Sequence, residues 1–195
     1  MTYSFESPKV YDKLLLPQDS PLRKAVVISN PLGEDFSIMR TVSLNGMLTS
    51  LSTNFNRRNK NVRLYELGNI YLPKQVPVTE LPEERMQFTL GMYGEGDFFT
   101  MKGVIEEFLY KAGMKLKPEY DPEAGKPFLH PGRQANVVYD GTVIGYLGEV
   151  HPTVAANYAI KERVYVAVLD MPEIVSHASF DHKYEGIAKF PAAAR

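Results

Sequence analysis

Leu44, Met47, Leu48, Leu51 and Phe55 recur three or four positions apart and so share one face of a helix. Asn45 and Gly46 weaken its first turn, because glycine costs about 1 kcal/mol against alanine in a helix. The helix ends near Arg57-Arg58-Asn59-Lys60-Asn61, where cations suit the negative helix terminus. A nucleic-acid contact is the alternative reading of that basic pair. Val62 to Leu72 reads as a strand bent or bulged at Gly68-Asn69. Prolines mark Leu72 to Pro82 as a connector. Phe88, Leu90 and Met92 then alternate with Gln87, Thr89 and Gly91, the period of a half-buried strand.

The clearest helix follows. Met101, Val104, Ile105, Phe108, Leu109 and Ala112 form an apolar stripe, and Lys102, Glu106, Glu107 and Lys111 face away. Asp97 is placed to cap its start and Gly113 to close its end, while Glu107 and Lys111 make a favourable i,i+4 pair. Asp121 to Pro131 reads as a loop. Ala135–Tyr139 and Thr142–Val150 form a hairpin around Asp140-Gly141, residues that accept the positive φ angles of a type I′ turn. His151-Pro152 opens a short helix through Tyr158, with proline tolerated in the first turn. Val164, Val166 and Val168 alternate with Tyr165, Ala167 and Leu169 as a strand, and a short helix starts at Pro172. Hairpin-linked strands with helices between them predict an α+β fold on a mainly antiparallel sheet. No repeat or linker divides the chain, so residues 1–195 are read as one module.

Composition narrows the function classes. With 195 residues, 44% of them apolar, the chain can bury a sizeable core, and the absence of cysteine excludes disulfides, thiolate metal sites and a cysteine nucleophile. The net charge of -1 predicts no basic stripe for nucleic acid. Apolar runs such as Leu14-Leu15-Leu16 are far shorter than the ~18 residues of a membrane helix, and Met1-Thr2-Tyr3-Ser4-Phe5 lacks signal-peptide character. The expectation is a soluble, cytoplasmic protein without membrane partners.

Candidate chemistry is sparse. Gly91-x-x-Gly94-x-Gly96 has the wrong order for a dinucleotide fingerprint and no P-loop lysine, so it reads as a strand-to-helix turn. His130, His151, His177 and His182 show no metal-ligand spacing, and the first two fit turn and helix-entry positions. Glu106 and Glu107 point apart on a helix and make no acid/base pair. No nucleophile elbow occurs. No catalytic, cofactor-binding or metal-binding residue is assigned.

Several segments, taken in order, carry a family resemblance. They are Tyr3-Ser4-Phe5 with Ser7-Pro8; Asn30-Pro31-Leu32 with Met39-Arg40-Thr41; Arg63 through Gly68; and Asp97-Phe98-Phe99 with Lys102-Gly103. His130-Pro131-Gly132-Arg133, Gly145 through Pro152, and Lys189-Phe190-Pro191 with Arg195 complete the series. Across essentially the whole chain these resemble the beta-subunit family of bacterial phenylalanine–tRNA ligase.

The resemblance implies the class II aminoacyl-tRNA synthetase fold, an antiparallel sheet flanked by helices. It also implies a catalytic alpha subunit as partner in an (αβ)₂ enzyme that uses ATP and Mg²⁺ and meets tRNA as a whole. The chain would be a piece of a longer beta subunit, without the helix that precedes the first strand and without the C-terminal tRNA-contacting domain. Editing and magnesium-associated modules would lie upstream. Ser43-Leu44-Asn45-Gly46-Met47-Leu48 departs from the family by lacking a proline. Only the link around Asn59–Asn61 separates the first helix from the strand at Val62, so the first strand of motif 2, with its phosphate-holding arginine, is expected to be absent. No motif 3 arginine pattern occurs. The expectation is therefore an inactive core module that supports the alpha subunit, holds no cofactor itself, and self-associates weakly when isolated. A free-standing protein- or ligand-binding module on the same fold is the alternative.

Overall fold

The computed structural model describes residues 2–181; His182 and the Lys189-Phe190-Pro191 and Arg195 segment lie outside the described residues. A small antiparallel pair, β1 (Phe5–Glu6) and β2 (Ile38–Met39), brackets helix α1 (Val10–Lys13) and two 3-10 turns. Helix α2 (Leu44–Asn56) follows and leads into strands β3 (Val62–Leu72) and β4 (Glu83–Tyr93). Next come α3 (Phe98–Lys111), β5 (Glu119–Asp121), β6 (Leu129–Tyr139), β7 (Thr142–Val150), α4 (Pro152–Asn157), β8 (Val164–Asp170) and α5 (Met171–His177). The six-stranded sheet runs β3-β4-β8-β7-β6-β5, with every neighbouring pair antiparallel.

Helices cover both faces of this sheet. On one, Leu44, Leu48 and Leu51 of α2 and Val154 of α4 pack over Val164, Val166 and Val168. On the other, Met101, Ile105 and Leu109 of α3 and Ile174 of α5 pack over Tyr165, Ala167 and Leu169. The β8 alternation therefore separates two cores, not core from solvent, and all of Val164–Leu169 is buried. Full burial of each large aliphatic side chain contributes roughly 1.5–3 kcal/mol, so the two layers clamp this central strand.

Helix α3 begins with a capping box: the Asp97 carboxylate accepts from Thr100 N at 2.8 Å, and Thr100 Oγ1 accepts from Asp97 N at 3.2 Å. Those backbone and hydroxyl donors hold the Asp97 carboxyl below the usual carboxylate range. Gly113 closes the helix at φ +76°, and Lys111 pairs with Glu107 at 3.5 Å. Val104, expected in the buried stripe, is instead 41% exposed at its edge. The β6–β7 hairpin turns through Asp140 (φ 47°) and Gly141 (φ 75°), between paired Tyr139 and Thr142, as a type I′ turn requires.

Three expectations are corrected. Gly68-Asn69 is neither bulge nor bend, because β3 and β4 pair without a break from Val62↔Tyr93 to Leu72↔Glu83. Gly68 serves a different need: a Cβ there would collide with Nη2 of the buried Arg40. The strand–loop–strand expected to be absent is present as β3, residues 73–82 and β4, with Arg63 on its first strand. The short link after α2 suffices because β3 is itself that first strand. The loop expected over 121–131 is partly strand, since Glu119–Asp121 extends the sheet and β6 starts at Leu129.

Candidate functional site

Of the segments that carried the family resemblance, the start of Arg63 through Gly68, Asp97-Phe98-Phe99, His130 through Arg133 and the end of Gly145 through Pro152 meet at one end of the sheet. There β3 begins, β4 ends, β8 begins, β7 ends and β6 begins: Val62 pairs with Tyr93, Tyr93 with Val164, Glu149 with Tyr165, and Leu129 with Val150. Between Leu129↔Val150 and Gln134↔Gly148 the register jumps, so His130-Pro131-Gly132-Arg133 bows out opposite the single residue Glu149. Arg133 turns back, and its Nη1 donates to both Glu149 oxygens at 3.0 Å. Arg163 Nε lies 3.9 Å from the same carboxylate. Glu149 is buried beneath the two guanidiniums, and that pairing offsets the cost of removing its charge from water.

A groove of about 560 Å³ opens beside this cluster, with His130, Arg133, Lys161 and Arg163 on its polar rim and Val150, Ala155 and Ile160 beneath. The far side of the bow meets Phe98, Phe99 and Tyr165 in a recess of about 350 Å³. Both flanking histidines hold local structure: His130 Nδ1 accepts from Gly132 N at 3.1 Å, and His151 Nδ1 caps α4 by accepting from Thr153 N at 3.2 Å. His177 lies apart on α5, its Nδ1 2.8 Å from the Glu173 carbonyl.

The other arginines near the strand–loop–strand have fixed partners or sit at its rim. Arg40 is buried; it donates from Nε to Asn69 O (2.6 Å) and from Nη1 to Thr2 Oγ1 (2.9 Å), and lies 3.7 Å from the Glu66 carboxylate. Glu66 also accepts from Thr2 N at 2.8 Å. Arg85 binds Asp170, Glu173 and Glu83. Arg63 is exposed at the start of β3 and reaches the Glu95 carbonyl at 3.4 Å.

A second polar cluster holds the N-terminal strand. Tyr158 donates to Asn45 Oδ1 at 2.8 Å, and Asn45 Nδ2 donates to Glu6 Oε2 at 3.0 Å. Glu6 is 5% exposed, and its other oxygen has no hydrogen-bond partner among the described residues. Burial pushes its carboxyl up to about 7, against the smaller opposing effects of Asn45 and Arg40.

The sequence model of the phenylalanyl-tRNA synthetase beta chain CLM domain matches residues 1–171. This chain belongs to that family. The phenylalanine–tRNA ligase beta subunit of Clostridium acetobutylicum is 45% identical over 100% of this chain and 24% of its own length. That of Clostridium tetani is 43% identical over the same shares, and that of Symbiobacterium thermophilum is 35% identical over 100% of this chain and 23% of its own length. The chain therefore spans about a quarter of these relatives. Among solved structures, pyrrolysyl-tRNA synthetase from Desulfitobacterium hafniense matches with a TM-score of 0.70 at 13% identity, covering 90% of this chain and 61% of that one. At that identity the likeness establishes the class II synthetase fold alone.

For this CLM domain, sequence reasoning found the segments but not their meeting point. Arg133 and Glu149 enter the sequence reading only as parts of resemblance segments, and Arg163 not at all, since a buried carboxylate under two guanidiniums is formed by strand register. One signal was available: an acidic residue within the otherwise apolar run Ile144–Val150 needs a buried cation.

Proposed function

We propose that this chain is a non-catalytic core module of a phenylalanine–tRNA ligase beta subunit, within an (αβ)₂ ligase whose alpha subunit attaches phenylalanine to its tRNA. The observation that carries this reading is the covering of both sheet faces by the chain's own helices, with β8 buried from Val164 to Leu169. A class II active site needs an accessible sheet face with preorganised cations for the phosphates. The part left open beyond α3 is apolar instead, with Tyr65 73%, Leu67 54% and Met86 45% exposed. Arg40 and Arg85 are held by the chain's own carboxylates. On this reading ATP and Mg²⁺ serve the whole enzyme, tRNA is met by the assembly, and the enzyme works in the cytoplasm. No helix among the described residues is long and apolar enough to cross a membrane.

The pairing surface we assign to the alpha subunit lies around β1 and β2. Tyr3 is 77% exposed and stacks edge-on against Phe36, with Val27 and Leu32 also exposed nearby in the chain. Uncovered apolar surface beside a two-stranded edge favours association. Size-exclusion chromatography with light scattering tests this. The chain alone should dimerise weakly as concentration rises, less so with Tyr3→Ser and Phe5→Ser, and a longer beta chain should bind the alpha subunit. A chain that stays monomeric and still binds alpha tightly would place the pairing surface elsewhere.

A further inference from the structure

Away from the sheet, β1, α1, the second 3-10 turn (Glu34–Phe36) and the first half of α2 enclose a cavity of about 510 Å³. Its walls are of two kinds. Tyr3, Phe5 and Phe36 supply exposed rings, with Tyr3 and Phe36 set edge to face at 5.8 Å. Asn45, Thr49 and Ser50 of α2 supply polar groups opposite, and the buried Glu6 supplies a carboxyl. Apolar walls with a few converging polar groups are the composition of a small-molecule site.

Glu6 is the wall residue whose hydrogen bonding is incomplete. Asn45 Nδ2 donates to Oε2 at 3.0 Å, whereas Oε1 is buried without a hydrogen-bond partner among the described residues. Neither protonation state satisfies that oxygen: ionised it lacks a donor, and protonated it lacks an acceptor. Buried polar atoms are nearly always satisfied, so an orphan on a cavity wall needs a group that enters the cavity.

The charged and titratable groups around Glu6 are engaged elsewhere. Arg40 on β2 is held by Asn69, Thr2 and Glu66 and acts on Glu6 only through space. Lys9 pairs with Glu34 at 3.0 Å, and Lys13 lies over the Tyr158 ring at 5.6 Å. Tyr158 donates to Asn45, and Tyr11 is hydrogen-bonded to Thr41. Asp35, the other acid on the cavity wall, adds negative charge and no donor.

We propose that this cavity binds a small primary amine on an aromatic body, its ammonium donating to Glu6 and its body lying among Tyr3, Phe5 and Phe36. The ammonium supplies both the donor that Oε1 lacks and a counter-charge, which together make a charge-assisted hydrogen bond. Ring faces attract the cation, and the rings cover its apolar body. Burial holds the Glu6 carboxyl up at about 7, ahead of the opposing effects of Asn45 and Arg40, so at neutral pH the entering cation displaces a proton. The cavity lies beside the surface assigned above to the alpha subunit, but the amine site does not require that reading.

The experiment is a backbone-amide NMR titration of the 195-residue chain with benzylamine, run beside benzyl alcohol, phenylalanine and the amide of N-acetyl-lysine. Benzylamine should shift the amides of residues 2–7 and 45–50. It should bind about tenfold more tightly at pH 8 than at pH 6, as follows when a proton must leave a group near 7. Benzyl alcohol lacks the charge, and phenylalanine would carry its own carboxylate up to Glu6, so each should bind at least about tenfold more weakly. Glu6→Gln should weaken benzylamine binding at pH 8 about tenfold and flatten the pH dependence. Phe36→Ala should weaken it about threefold and leave the pH dependence intact, and circular dichroism melts verify that both variants are folded. The proposal is overturned by an absence of shifts in the two segments at pH 8, by benzyl alcohol or phenylalanine binding as tightly as benzylamine, or by a pH dependence that survives Glu6→Gln. N-acetyl-lysine amide binding more tightly than benzylamine would assign the cavity to a partner's side chain and overturn the small-molecule site as well. Failure here, with alpha-subunit binding intact, overturns the amine site and leaves the subunit reading standing.

Discussion

The two ends of the six-stranded sheet treat arginine in opposite ways. Where β4 starts and β8 ends, Arg85 is gripped by Asp170, Glu173 and Glu83. Where β3 starts and β8 begins, Arg57, Arg58 and Arg63 project to solvent without a carboxylate partner among the described residues. The first arrangement uses a cation to hold a helix and two strands together. The second leaves its cations exposed to solvent. An arginine already satisfied by fixed carboxylates cannot supply counter-charge to an incoming phosphate without leaving those carboxylates unpaired, so counting arginines in the sequence says little until their partners are known.

The largest test of this contrast lies at Arg40, the most deeply committed guanidinium. Gly68→Ala should push the guanidinium off its seat at Nη2 and carry with it the Nη1 that lies 3.7 Å from Glu66, leaving a buried charge without its partner. Breaking such a pair costs about 3–5 kcal/mol, readable as a lower urea midpoint. A loss below about 1 kcal/mol would show that Arg40 relocates freely and that its burial does not depend on Gly68.

Glu6 is the inverse case, a buried carboxylate whose nearest donor is a neutral amide. Its folded pKa of about 7 lies above the ordinary 4.5. The folded state therefore binds the proton more tightly. Its stabilising contribution is complete below about pH 4.5 and is lost as pH rises through 7. Glu6→Gln should remove up to about 3 kcal/mol of stability variation between pH 4.5 and 8, at about 1.4 kcal/mol per pKa unit. The variant should be the more stable protein at pH 8. Parallel pH profiles for both proteins would show that Glu6 carries a compensating charge partner.

At the closed end, Arg85→Met leaves Asp170 facing Glu173 and Glu83 without a cation. Burial already pushes the Asp170 carboxyl up while Arg85 opposes it, so the variant should lose about 2 kcal/mol at pH 7, and less at pH 5 as Asp170 takes up a proton. The contrasting pair Arg57→Ser and Arg58→Ser should change stability by no more than about 0.5 kcal/mol, as solvated surface positions do. Equal losses at the two ends would erase the distinction.

Much of this architecture was legible because local chemistry and tertiary context agree. The α3 stripe with its Asp97 cap, the Asp140-Gly141 turn and the His151-Pro152 helix entry each name their own geometry. What was illegible depends on distant partners. Gly68 looks like a strand breaker until Arg40, far earlier in the chain, fills the space a side chain would take. The alternation along β8 marks a strand but does not show that both its faces are buried until α2 and α3 arrive on opposite sides. The net charge of -1 does not reveal that Arg57, Arg58 and Arg63 gather at one sheet end without a carboxylate partner among the described residues. The site residues Arg133, Arg163 and Glu149 meet only through the register jump at His130–Arg133.

The central claim, that this module supports phenylalanine–tRNA ligation without performing it, is tested most directly by phenylalanine-dependent ATP–pyrophosphate exchange on the isolated chain. With the central strand covered on both faces by its own helices, the open part of the sheet apolar, and Arg40 and Arg85 held by carboxylates, the chain alone should stay at background. Arg63 lies on the first strand of the strand–loop–strand, exposed at its outer end, and is the arginine best placed to contradict this. Exchange clearly above background, abolished by Arg63→Ala in a variant with an unchanged melting temperature, would show a functioning adenylate site and overturn the account.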